Sequence, residues 1–79
     1  MRDKTESDII VLHRKIGINV KEIREQKGFS QHDLALAIGH KSSTIVSQAE
    51  LSKNKHFNIE QLYKIAKILD CKICDFIKG

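Results

Sequence analysis

A chain of 79 residues holds one small domain and leaves no room for a second. Fourteen Lys+Arg against ten Asp+Glu give a formal charge of +4, which suits a polyanionic partner without demanding one, and 41% hydrophobic residues lie in the globular range. The longest apolar run, Ile9 to Leu12, falls far short of the roughly 20 residues that span a bilayer; its acidic neighbours Asp3, Glu6 and Asp8 spoil a secretion signal, and two cysteines with no proline point to a reducing, cytoplasmic setting and an all-helical chain.

Residues 1–7 are polar and carry no apolar period, so a flexible tail is expected there and a single domain over 8–79. From Asp8 a helical period begins: Ile9, Leu12, Ile16, Val20 and Ile23 follow at spacings of 3, 4, 4 and 3, one stripe on one face. Gly17 falls inside that stripe as a potential break, which would move the helix start toward Leu12; Lys27-Gly28 ends it. A second helix opens with Ser30 as cap and Asp33 three residues later, buries Leu34, Ala37 and Ile38, and closes at Gly39. After the turn Gly39-His40-Lys41-Ser42, a third helix runs from about Ser43 to Leu51 with Ser42 as its cap. Residues 52–57 have no period and read as a loop. Asn58 and Gln61 have capping-box spacing for a fourth helix. Its Ile59, Leu62, Ile65, Ala66, Ile68 and Leu69 cover more than half the circumference, which predicts packing from two sides. Ile73 to Ile77 form a last helical turn.

Two short helices joined by a glycine-containing turn are a helix-turn-helix pattern, weak evidence by itself because any small bundle has short connections. The third helix adds a stronger signal. At about 100° per residue, Ser42, Val46 and Ala49 share one side, flanked by Ile45 and Glu50, whereas Thr44, Ser47 and Gln48 point the opposite way with Leu51 at the end. A solvated face collects Lys and Glu; a row of hydroxyls and amides suits base edges. Ser43, Thr44, Ser47 and Gln48 are therefore the candidate base-reading residues. Lys41, Ser42, Lys53, Asn54 and Lys55 bracket that face as candidate contacts to the DNA backbone.

At these residues the sequence resembles the Xre/Cro-type helix-turn-helix regulators, the family of phage repressors and restriction–modification controller proteins. The matching text is IREQKGFSQHDLALAIG (23–39), STIVSQAE (43–50) and IEQLYKIAKILDCKICDFI (59–77), so that with the first helix about residues 16–77 are covered. The resemblance implies a compact five-helix bundle with helices two and three as the DNA-binding pair and helix three in the major groove. It implies that Gln31 meets the DNA backbone or a base beside it, that Ala35 lets the two helices cross closely, and that Arg24 and Glu50 form a structural ion pair. The sequence departs from the family pattern in three places. The turn before helix three holds one extra residue, the loop after Glu50 is one residue longer with Ser52 where glycine is usual, and the outward face of helix three has no Arg or Lys. Without an arginine to read guanine, contacts under Gln48 and the Thr44 methyl are expected to lean toward A·T pairs.

Other chemistries fit less well. Cys71-Lys72-Ile73-Cys74 is a CxxC, yet a tetrahedral zinc site needs four ligands and a redox pair wants a βαβ setting, so no metal and no cofactor are expected; the family resemblance implies a buried aliphatic at position 71, which makes Cys71 a small hydrophobe. His13 and His32 read as solvent-facing, and so small a helical chain offers little wall for a water-excluding pocket; an enzyme is not expected. RNA recognition wants stacking aromatics, of which helix three has none. The expected function is sequence-specific binding of double-stranded DNA by a repressor or controller, which the resemblance favours as a homodimer on a palindromic operator; Phe76 and Ile77 form either its seam or, with Phe76 below helix four, the closure of the core. An antitoxin-type module that binds a partner protein as well as its own promoter is the alternative.

Overall fold

Apolar residues at every third or fourth position, capping side chains at the right offsets and no proline produce five helices. They are α1 (Lys4–Gln26), α2 (Gln31–Ala37), α3 (Thr44–Leu51), α4 (Ile59–Leu69) and α5 (Cys74–Ile77). The computed structural model describes residues 4–52 and 55–78. One core gathers side chains from all five: Val20 of α1, Leu34 of α2, Val46 of α3, Ile65 and Leu69 of α4, and Phe76 of α5 are completely enclosed.

The first helix begins at Lys4, four residues before the Asp8 start that periodicity predicts, and runs unbroken through Gly17. Ile16 and Val20 are buried and Ile23 is half-buried, but Ile9 and Leu12 of the same stripe are exposed. The reason is length. A 23-residue helix is about 34 Å long, and in a molecule of 41 × 23 × 19 Å its first turns extend past the elements that cover the rest. Gly17 is no break. A Cβ there would collide with the Glu50 carbonyl oxygen and lie 2.9 Å from that of Ala49, so the missing side chain is what lets the last turn of α3 rest on α1.

Local capping sets the second and fourth helices. In α2 the Asp33 amide donates to the Ser30 hydroxyl (2.9 Å) and the Ser30 amide donates to the Asp33 carboxylate (3.1 Å). That amide bond holds the Asp33 carboxyl below its ordinary value. In α4 the Gln61 amide donates to Asn58 Oδ1 (2.7 Å) and the Asn58 amide to Gln61 Oε1 (2.9 Å). The helix-two core face is Leu34, Ala35 and Ile38, not Leu34, Ala37 and Ile38; Ala37 points to solvent. Gly39, at φ +93°, turns the chain into the left-handed region that closes α2, with the His40 amide donating to the Ala35 carbonyl at 2.9 Å. The fourth helix buries one face only. Leu62, Ile65, Ala66 and Leu69 are inside, Ile68 is half-buried, and Ile59 at 71% exposure corrects the expectation of packing from two sides. Asn19 ties the C-terminal end back to α1, its amide donating to the carbonyls of Phe76 (2.8 Å) and Lys78 (2.7 Å).

Candidate nucleic-acid interface

The third helix owes its position to one polar cluster and to core packing. Ala35 of α2 and Val46 and Ala49 of α3 are all buried in the core that the two helices share. Glu50 carries a negative charge at the C-terminal end of α3, where the helix dipole disfavours it, and is only 5% exposed. Arg24, also 5% exposed, answers it with two bonds, Nε to Oε2 at 2.7 Å and Nη2 to Oε1 at 3.2 Å. The guanidinium Nη1 donates to the Phe29 carbonyl at 2.7 Å. Gln31 Nε2 donates to Glu50 Oε1 at 3.1 Å. The cluster joins α1, the α1–α2 junction, the first residue of α2 and the last turn of α3. Among the described residues every buried side-chain nitrogen and oxygen has a partner.

At the opposite end of α3, the helix begins at Thr44 with Ser43, not the expected Ser42, as its cap residue and with no capping bond from the Ser43 side chain; the Ser42 hydroxyl accepts the Thr44 amide at 3.1 Å. The Ser42 and Thr44 hydroxyls also bond each other at 2.8 Å. This turns the Thr44 oxygen toward Ser42 and leaves its methyl for an apolar contact. Thr44 is exposed, and Ser43, Ser47 and Gln48 are half-buried. A shallow groove of about 380 Å³ lies beside the start of α3, lined by His40, Lys41, Ser42, Thr44, Ile45, Gln48 and Lys55. Two ammonium groups and an imidazole thus stand around a concavity with amide and hydroxyl groups on its wall, and no carboxylate lines it among the described residues. Such a groove favours a polyanion with hydrogen-bonding edges.

The groove brings together Lys41, Ser42, Thr44, Gln48 and Lys55 of the sequence-predicted contacts. Ser43 and Ser47 are on α3 or at its start but do not line it. Gln31 is half-buried and spends one amide hydrogen on Glu50, which leaves the other to donate elsewhere. Lys53 and Asn54 lie outside the described residues. Phe76 is completely buried, so it closes the core, and Ile77 is the exposed member of the expected seam.

Sequence reasoning set Ile45 beside the core face and gave His40 no fixed place, yet both line the groove. His40 sits in the turn with no periodicity to place it, and Ile45 lies on the flank between core and outward faces, where half-burial is the only signal. His13, expected to face solvent, is half-buried and stacks on His56 with ring centroids 3.7 Å apart and planes at 12°. Burial, and then the nearby His56, lower the His13 pKa from its ordinary value. Cys71 packs half-buried against the core, and burial pushes its thiol up; Cys74 is exposed. No group of three or more metal-binding side chains occurs among the described residues. Among them, too, no helix is long and apolar enough to cross a membrane.

The helix-turn-helix family model matches residues 20–76, from the buried part of α1 to the core residue of α5. No curated protein matches the sequence. The family match covers well over half of the chain, and the paired α2 and α3 with their capped, glycine-closed turn are the element after which the family is named: the chain belongs to the Xre/Cro-like helix-turn-helix family of DNA-binding transcription regulators.

Proposed function

We propose that this protein is a homodimeric repressor or controller that recognises a palindromic operator by laying α3 in the major groove. The observation that carries the reading is the groove at the start of α3, where Thr44 and Gln48 share a wall with Lys41 and Lys55. Lys41, Lys55 and the free amide hydrogen of Gln31 hold phosphates and set the register; Ser42, and Lys53 and Asn54 by their place in the sequence, are assigned the same role. Gln48 pairs bidentately with adenine, and Ser43 and Ser47 reach neighbouring base edges. The Thr44 methyl and the half-buried Ile45 beside it offer an apolar surface to a thymine methyl. The buried Arg24–Glu50 pair contributes no contact to DNA in this reading. It fixes the angle at which α3 leaves the body, and Gln31 couples that cluster to the phosphate it touches.

Selection of bound duplexes from a random pool tests the proposal. The expected product is a palindrome with A·T pairs under Thr44 and Gln48 and half-site centres about one DNA turn apart. G·C pairs under both residues, or a pool with no consensus, would refute the assignment of α3 as the reading element.

A further inference from the structure

We infer that the projecting first half of α1 is a self-association arm, pairing antiparallel with the same segment of a second copy; the inference rests on the dimeric reading above and gives it an interface. From Ser7 to Leu12 every residue is exposed, and Ile9, Ile10, Val11 and Leu12 leave 40–55% of their surface in water. Ile9 and Leu12 continue the stripe of Ile16 and Val20, so the face that builds the core runs on past the body with nothing beneath it among the described residues. This segment precedes the family match, which begins at residue 20. The DNA-binding architecture therefore does not account for it.

The choice of a second copy follows from charge. Asp8 and Lys15 lie seven residues apart, on the same flank of the stripe. When the helix is reversed against itself about a two-fold axis between Ile10 and Val11, Ile9 of each copy layers on Leu12 of the other. The same operation sets Asp8 of each copy diagonally across from Lys15 of its partner, giving two opposite-charge pairs on that flank. A parallel pairing would instead set that flank against the opposite flank of the partner, where no Asp8–Lys15 pair forms. The His13–His56 stack places the arm beside the loop that follows α3, so the axis through the arm also relates two reading helices. An overhang of this length buries less than the about 800 Å² per partner of a standard interface. The pairing is accordingly weak in solution and is completed when DNA holds two copies side by side.

Sedimentation equilibrium of the full chain at concentrations on the order of 100 μM reads the association directly. Wild type is expected to dimerise, and Ile9→Lys to abolish association with unchanged helix content. Asp8→Lys should weaken it about tenfold, and Asp8→Lys with Lys15→Asp should restore it to within about threefold. Val11→Lys, on the far side of the helix, should leave it intact. A monomeric wild-type chain, as a heterologous partner on the arm would predict, overturns the inference. So does a dimer that survives Ile9→Lys, or one that the charge exchange fails to restore. Binding of these variants to a single half-site is read alongside. It depends on α3 alone, so its loss would count against DNA reading and its retention in a monomeric chain would count against the arm only.

Discussion

Gly17 shows how one residue can reverse a helix-propensity expectation. In an exposed helix, Gly→Ala stabilises by roughly 0.5–1 kcal/mol. Here the added methyl would strike the backbone carbonyls of Ala49 and Glu50, which cannot move aside as a side chain could. Gly17→Ala is therefore expected to destabilise by about 1–3 kcal/mol in urea unfolding, with the opposite sign if α1 and α3 were not in contact. Losing the Glu50 carboxylate does more damage. Glu50→Ala strands the Arg24 guanidinium in the core and should cost about 3–5 kcal/mol, enough to unfold much of a domain of this size. Replacing both residues together, Arg24→Met with Glu50→Leu, should cost far less than the sum of the two single changes. At Ser52 the sign is favourable. Its φ of +57° places a non-glycine residue in the left-handed region, so Ser52→Gly should raise stability by about 1 kcal/mol, visible as a higher urea midpoint.

Among the elements, those whose reasons are local were legible in the sequence and those whose reasons are distant were not. The caps of α2 and α4 are written in pairs three residues apart, Ser30 with Asp33 and Asn58 with Gln61, and both form reciprocal bonds in the structure. Gly17 looked like a break because its justification, the last turn of α3, lies far along the chain. The extent of α1 was underestimated for a related reason: periodicity reports which face is apolar but not where the covering elements stop, so the exposed Ile9 and Leu12 could not be told from the buried Ile16 and Val20. His13 was misplaced because its partner is a loop residue, and loops have no period. That stack makes a pH prediction. The folded pKa of His13 is lowered, so as pH falls through its unfolded value, ordinarily about 6.5, the unfolded chain takes up the proton first and stability declines until the folded value is passed. Thermal unfolding should show a lower midpoint at pH 5.5 than at pH 7.5, and His13→Gln should flatten that part of the profile. An equal slope in the variant would assign the effect to other groups.

For the whole molecule, one 23-residue helix and four short ones around a single core leave a modest surface, of which the groove beside α3 and the exposed first turns of α1 are part. The outward face of α3 was accessible from the sequence because an amphipathic helix declares both of its sides: with Val46 and Ala49 inside, Thr44 is exposed and Gln48 half-exposed. The groove beside it was less so, since it depends on the turn carrying His40 and Lys41 and on Lys55 from the next loop coming to the same place. The division of labour across that groove is the central claim, and fluorescence anisotropy with Gln48→Ala and Lys41→Ala, on the selected duplex and on random DNA at two salt concentrations, tests it most directly. Gln48→Ala should lose about 1–3 kcal/mol on the selected site and little on random DNA, with the salt slope kept; Lys41→Ala should weaken both alike and lower the slope by about one. Two variants indistinguishable on specific and random duplexes would contradict the account.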